Sequence, residues 1–209
     1  MTEISKRFLS SLILLPISFY LIYEGSLLFN IFLIIIFGFA VFEFVKFKLN
    51  IFFKIIGLIF IFISFYTIFI FRNTQDENNF VFFLLVIITS ISTDIGGFTF
   101  GKIFKGPKIT KISPNKTYSG MFGAYIMSVV SLYLILEYFP NSIIYNLDLL
   151  LAIILLSTIS QLGDLFISYL KRISNLKDTG KIIPGHGGIL DRIDGMIFAF
   201  PFSYAIFIL

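Results

Sequence analysis

Apolar residues gather in seven long runs: Phe8–Tyr23, Leu27–Phe42, Ile51–Phe71, Phe80–Ile95, Tyr118–Phe139, Leu147–Leu170 and Ile193–Leu209. None alternates with the period of a barrel strand, and backbone polar groups in hydrocarbon must be paired within their own segment, so the pattern predicts helices. The first, second and last runs hold only 16 or 17 residues. At about 1.5 Å per residue they reach about 24–26 Å, so their ends are the least defined.

Composition turns this pattern into a membrane protein. The chain of 209 residues is 57% hydrophobic and 13% charged, with mean hydropathy +0.97, against about 45–50% and 25% in soluble domains. One compact core of this length cannot hide that much apolar side chain, which includes 29 Phe, so lipid must solvate much of it. The absence of Cys excludes disulfides, thiolate metal sites and Cys nucleophiles.

Charge supplies the orientation. With the N-terminus cytoplasmic, 15 of the 16 basic residues fall on the cytoplasmic side and only Arg72 lies opposite, beside Glu24, Asp76, Glu77, Glu137 and Asp148. The positive-inside rule therefore predicts an all-α integral membrane protein of about seven transmembrane helices, N-in and C-out, in the inner (cytoplasmic) membrane. Lys6–Arg7 before an apolar run resembles a signal peptide, but no small-x-small cleavage site follows, and the first run is expected to be retained. No internal repeat or linker divides residues 1–209, which read as one catalytic domain: N-terminal helices over 1–93 and a chemistry-bearing part over 94–209.

Two polar stretches, Asp94–Tyr118 and Asp164–Asp194, hold three of the six prolines and eight of the fifteen glycines, and both are expected on the cytoplasmic side as the active site. At helical spacing Asp164, Ser168 and Lys171 share one face, and Asp191 and Asp194 another. Acidic residues at membrane level are costly and point to a functional site by default. Clustered carboxylates repel unless a cation intervenes, and hard oxygen donors suit Mg²⁺, which usually takes one or two carboxylates and completes its shell with water and phosphate. Between them Pro184–Gly188, including Gly185, His186, Gly187 and Gly188, supplies backbone that can approach an anion closely. Lys171, Arg172, Lys177, Lys181 and Arg192 can neutralise a polyanion. In the other stretch Ser113, Lys116 and Thr117 offer hydroxyls and a cation to phosphate. The set suits a nucleotide and a phosphate. Neither a Walker A loop nor a dinucleotide-binding fingerprint is present.

Each element also has a plainer explanation. Asp191 and Asp194 can cap and charge the first turn of the last helix. Lys171–Arg172 can be a topology anchor, His186 a turn residue, and the 94–118 stretch a basic loop touching anionic lipid heads. Their joint occurrence within a few tens of residues is what favours chemistry.

Ser168–Asp194 reads S-x-x-K-R-x(4)-K-D-x-G-x(3)-P-G-H-G-G-x-x-D-R-x-D. It resembles the signature of the phosphatidate cytidylyltransferase (CDP-diglyceride synthase) family with every fixed position filled. Gln161-Leu-Gly163-Asp164-Leu and Ser113-Pro-Asn-Lys116-Thr are similar to further polar motifs of that family, so the likeness covers about the last 115 residues. The resemblance implies a Mg²⁺-dependent nucleotidyltransferase of phospholipid biosynthesis that makes CDP-diacylglycerol and pyrophosphate from CTP and phosphatidate. It implies Asp164, Asp191 and Asp194 at the metal centre, with the number of cations left open at one or two, and Lys171 and Arg172 close by. Ser113, Lys116, Ser168, Lys177, Asp178, Gly185, His186, Gly187, Gly188 and Arg192 are then the residues expected to line the nucleotide and phosphate. The expected partners are CTP, phosphatidate, the bilayer and a second copy of the chain, with no nucleic acid. A phosphate oxygen of the lipid is already anionic, so no strong base is required and His186 is dispensable for proton transfer.

Two other classes compete. An alcohol phosphatidyltransferase, or another enzyme of lipid phosphates, also uses Asp-bound metal, but the D-G-x-x-A-R motif of the former is absent. An ion-coupled transporter would use intramembrane acids, but no inverted repeat is visible and the polar residues gather at one face.

Overall fold

A computed structural model describes residues 3–74, 77–110, 112–140, 147–183 and 187–207. Seven helices follow one another: α1 (Glu3–Glu24), α2 (Ser26–Val45), α3 (Ile51–Asn73), α4 (Glu77–Phe104), α5 (Tyr118–Tyr138), α6 (Leu147–Ile173) and α7 (Leu190–Phe207). Among the described residues there is no strand, only the isolated bridges Lys108–Thr117 and Ile183–Gly187. Among the described residues five helical stretches are long and apolar enough to cross a membrane: Ser26–Val45, Ile51–Asn73, Asn78–Phe104, Tyr118–Tyr138 and Leu147–Ile173. α1 contributes the shorter apolar stretch Leu12–Glu24, and α7 opens with Asp191, Arg192 and Asp194.

The helices outrun the apolar patterns that predict them. α1 begins five residues before Phe8, and α4 continues nine residues past Ile95, through half of the first polar stretch. The extension of α4 has a packing cause. Gly96, Gly97 and Gly101 lie against Gly123, Gly120 and Thr117, so contact with α5 rather than apolar character carries the helix onward. At 28 residues it is about 42 Å long, more than the roughly 30 Å of hydrocarbon.

Chain contacts divide the protein into two compact units, neither of which coincides with 1–93 or 94–209. The first comprises Met1–Phe69 and Leu170–Ile193. Within it α1 touches α2, and α2 packs on α3 through Phe37 against Phe62 and Phe65. The Phe44 ring fills the space over Gly57, which no Cβ could share. The Lys48 N–H donates to the buried Ser174 hydroxyl at 2.9 Å, fixing the α2–α3 turn to the segment after α6. Only 28% and 22% of the α2 and α3 spans are buried, which leaves Phe, Ile and Leu side chains outward, as lipid-solvated helices require.

The second unit comprises Ile70–Tyr169 and Asp194–Leu209. Its interior is aromatic at one end, where the buried Phe200 ring meets the buried Phe71 edge-on and the buried Phe83 at a tilt. Elsewhere it is a seam of small and hydroxyl side chains. Thr93 on α4 donates to Ser157 on α6 at 2.8 Å, and Tyr125 on α5 lies 3.1 Å from Thr158. α5 starts at Thr117, whose hydroxyl accepts from the Gly120 N–H at 3.1 Å, an N-cap that separates the basic loop from the helix.

The glycine contacts between α4 and α5 predict a contrast. Gly96→Val places methyl groups into the Gly123 carbonyl and Met127, and overpacking of this kind costs about 1–3 kcal/mol. Gly38 has no atom within 4 Å of its Cβ position, so Gly38→Ala is expected to be tolerated. Thermal unfolding of detergent-solubilised protein followed by circular dichroism checks both; equal midpoints for the two variants would disprove the close packing.

Candidate active site

The residues of the polar signature fall in both units. In the first unit, α6 ends with Lys171 and Arg172 in its last turn, where cations complement the carbonyl end of the helix dipole. The chain then runs through Lys177, Asp178 and Thr179 to Gly187 and Gly188 before α7 begins at Leu190. The Asp191 carboxylate organises this passage. Its Oδ1 accepts from Lys171 Nζ at 2.6 Å, and its Oδ2 accepts from the Thr179 N–H at 2.8 Å, the Thr179 hydroxyl at 3.0 Å and the Gly188 N–H at 3.2 Å. The two charged side chains are 11% and 6% exposed. Burial by itself would raise the Asp191 carboxyl; the Lys171 ammonium and the Thr179 and Gly188 N–H groups outweigh it and hold the group below the usual carboxylate range.

Sequence reasoning missed the second carboxylate at this place. Glu43, near the end of α2, is fully buried. Its Oε2 accepts from the Thr179 hydroxyl at 2.8 Å and the Leu190 N–H at 2.9 Å, and its Oε1 from the Ile189 N–H at 3.1 Å. It thus pairs two of the amides at the start of α7 that have no partner within the helix. Two glycines of the signature are explained by it, since a Cβ at Gly180 or Gly188 would run into the Glu43 carboxylate. Gly187, with φ +87°, sits in the left-handed region that favours glycine. The available signal was an acid close to the end of an apolar run, a placement that is itself a marker of function.

Arg172, Lys177, Asp178, Lys181 and Arg192 are exposed around this core. Gly185 and His186 lie outside the described residues.

In the second unit Asp164 Oδ2 pairs with Lys116 Nζ at 2.5 Å, with the two side chains 28% and 25% exposed. Asp164 Oδ1 accepts from the Ser168 hydroxyl at 3.3 Å, the i+4 contact expected of one helical face. Lys116 stands on a tight turn in which its N–H donates to the Ser113 carbonyl at 3.1 Å. Asp194 is buried, with its Oδ1 accepting from the Gly195 N–H at 2.9 Å. The α6 and α7 backbones nearly touch here: a Cβ on Gly163 would lie 3.0 Å from the Asp194 carbonyl oxygen. The residue next to Gly163 is Asp164, so this close crossing brings the Asp164 and Asp194 segments together. Among the described residues, no group of three or more His, Asp or Glu side chains is set to hold a metal ion. Asp164, Asp191 and Asp194 carry hard oxygen donors of the kind Mg²⁺ takes in ones and twos; the Asp164 oxygens accept from Lys116 and Ser168, and those of Asp191 from Lys171, Thr179 and Gly188.

Residues 49–209 match the Cytidylyltransferase family. A phosphatidate cytidylyltransferase of Rickettsia typhi is 41% identical over 146 residues, covering 66% of this chain and 62% of its own length. The Bacillus subtilis protein of the same name is 41% identical over 137 residues, 64% of this chain and 49% of its own. That of Rickettsia bellii is 38% identical over 164 residues, 75% of this chain and 70% of its own. The chain therefore spans about half to two thirds of the length of most of these relatives.

Lys171→Met removes the cation from a nearly buried pair, a change that typically costs about 3–5 kcal/mol. Asp191→Asn in the same background should add little, because the shared interaction is already gone. Chemical denaturation of the two single variants and the double variant measures this coupling; strict additivity would show that the pair does not hold the segment.

Proposed function

The chain belongs to the Cytidylyltransferase family, and from that premise we propose that it transfers CMP from CTP to phosphatidate, giving CDP-diacylglycerol and pyrophosphate. The observation that carries this reading is the ordering of the signature's glycine-rich segment by Asp191, Lys171 and Thr179, in a chain whose relatives at about 40% identity are named phosphatidate cytidylyltransferase.

The chemistry is a single displacement. A phosphate oxygen of the lipid bonds to the α-phosphorus of CTP, the bond from that phosphorus to the bridging oxygen breaks, and its electron pair leaves with pyrophosphate. The attacking oxygen is already ionised, so the demand on the protein is to bring two polyanions together and align them. Exposed Arg172, Lys177 and Lys181 offer cationic contacts to the triphosphate, with Arg able to bind bidentately. Lys171 contributes differently, because its charge is committed to Asp191; it keeps the loop in place. Lys116 holds Asp164 in a fixed direction, as Lys171 holds Asp191. Asp164 and Asp194 would hold a Mg²⁺ ion, which when bound offsets the repulsion between the two substrates. Ser168 orients Asp164 through its hydroxyl.

The membrane frame of the proposal is seven spans, N-in and C-out, with the signature at the cytoplasmic face, where CTP is dissolved and phosphatidate arrives from the inner leaflet. The bias of basic residues to one side supports it. A transporter is disfavoured because the charges of α7 lie in its first five residues and the basic pair of α6 in its last turn, away from mid-membrane.

Purified protein incubated with labelled CTP, Mg²⁺ and phosphatidate should give lipid-soluble label and pyrophosphate, and Asp164→Asn should lower turnover at least a hundredfold while inserting normally. Success only with another lipid phosphate would change the substrate; near-normal turnover by Asp164→Asn would remove the ion site. Because the chain has no Cys, single cysteines at Lys177 and Thr74 can report orientation. A membrane-impermeant thiol reagent added outside spheroplasts should label the second and spare the first, and the reverse pattern would overturn the topology.

A further inference from the structure

We propose that Glu43 is a positioning residue for this transfer: from the end of α2 its carboxylate fixes the segment that carries Lys177, Gly187 and Gly188. The inference rests on the cytidylyltransferase reading and adds to it a residue outside the signature and outside residues 49–209.

Glu43 is the one charged residue of α2. A helix that only had to cross lipid would be cheaper with an apolar residue there, since a buried carboxylate is stable only when its oxygens are well supplied with donors. Glu43 has that supply, with three donors on two oxygens from residues 136 to 147 positions away. None of those donors comes from its own helix. They come from both ends of the glycine-rich segment: Thr179 just after Lys177 and Asp178, and Ile189 and Leu190 just after Gly188.

Thr179 makes this more than an anchor. Its hydroxyl lies 2.8 Å from Glu43 Oε2 and 3.0 Å from Asp191 Oδ2, and it has a single proton to offer. The two carboxylates therefore share one donor, and Asp191 in turn takes Lys171. A continuous chain of contacts thus runs from α2 through Thr179 to the first turn of α7 and the last turn of α6. Gly180 and Gly188 press directly on the Glu43 carboxylate, so a change in its shape or hydrogen bonding moves the backbone on both sides of the segment. Displacement of that backbone would misalign the cations and N–H groups that meet the triphosphate, without removing any of them.

Glu43→Gln keeps the volume and one acceptor but leaves one of the α7 amides facing an NH₂ group. Thr179→Val cuts the link between the two carboxylates and keeps the Thr179 N–H on Asp191. Both variants are compared with wild-type protein in detergent, by steady-state kinetics against CTP and phosphatidate and by hydrogen exchange of residues 176–190. The expected result is a loss of at least tenfold in kcat/KM for CTP in each variant, with the KM for phosphatidate within about twofold of wild type and faster exchange confined to the segment. The double variant should be no worse than the poorer single one, and Glu43→Asp should not rescue, because its shortened side chain cannot reach all three donors. Wild-type kinetics for both single variants, or equal losses for both substrates with a general rise in exchange, would overturn the positioning role. Absence of any turnover by the wild-type protein would instead overturn the functional reading, and segment exchange, which needs no activity, would still decide whether Glu43 fixes the loop.

Discussion

The whole arrangement of the signature turns on two buried carboxylates placed around one threonine hydroxyl. Asp191 and Glu43 each need several donors to remain buried, and the segment between α6 and α7 is the place where those donors are found. A segment rich in glycine has high conformational entropy when free, so it adopts one arrangement only where something outside it holds its backbone. Carboxylates that together engage four backbone N–H groups and one threonine hydroxyl solve this locally: the backbone is held because letting go would strand charge away from water.

The second unit uses a different means. Its helices approach through glycine and hydroxyl residues, with Gly97 against Gly120, Gly195 against Ser160 and Gly163 against the Asp194 carbonyl. In lipid there is no hydrophobic drive to bring apolar helices together, so van der Waals contact at small residues and inter-helix hydrogen bonds take over. The consequence for chemistry is direct. The close α6–α7 crossing at Gly163 brings the Asp164 and Asp194 segments together, and the Thr117 cap starts α5 just after the turn that presents Lys116 to Asp164.

Much of this was legible from residue patterns. Runs of Phe, Ile and Leu announce helices because hydrocarbon permits little else, and all seven appear. The Asp164–Ser168 contact follows from the i+4 spacing of a helix. The fixed positions of Ser168–Asp194 pointed to the family that residues 49–209 match. What was not legible follows from the same logic: the extension of α4 to Phe104 depends on glycines of α5, and a helix held by a neighbour carries no sign of it in its own hydropathy.

The sequence by itself determined the solvent of this protein, the number and kind of its elements, and the residue types available for chemistry, because composition and short-range periodicity are properties of the chain alone. The tertiary structure decided how those residues divide their work. It engages both oxygens of Asp191 in holding the loop, ties Lys171 to it, and brings in Glu43 from a helix whose pattern named no partner for that acid. The physical reason is distance along the chain: a hydrogen bond between residues 43 and 190 has no periodicity to betray it, and exists only once folding has excluded water from both partners.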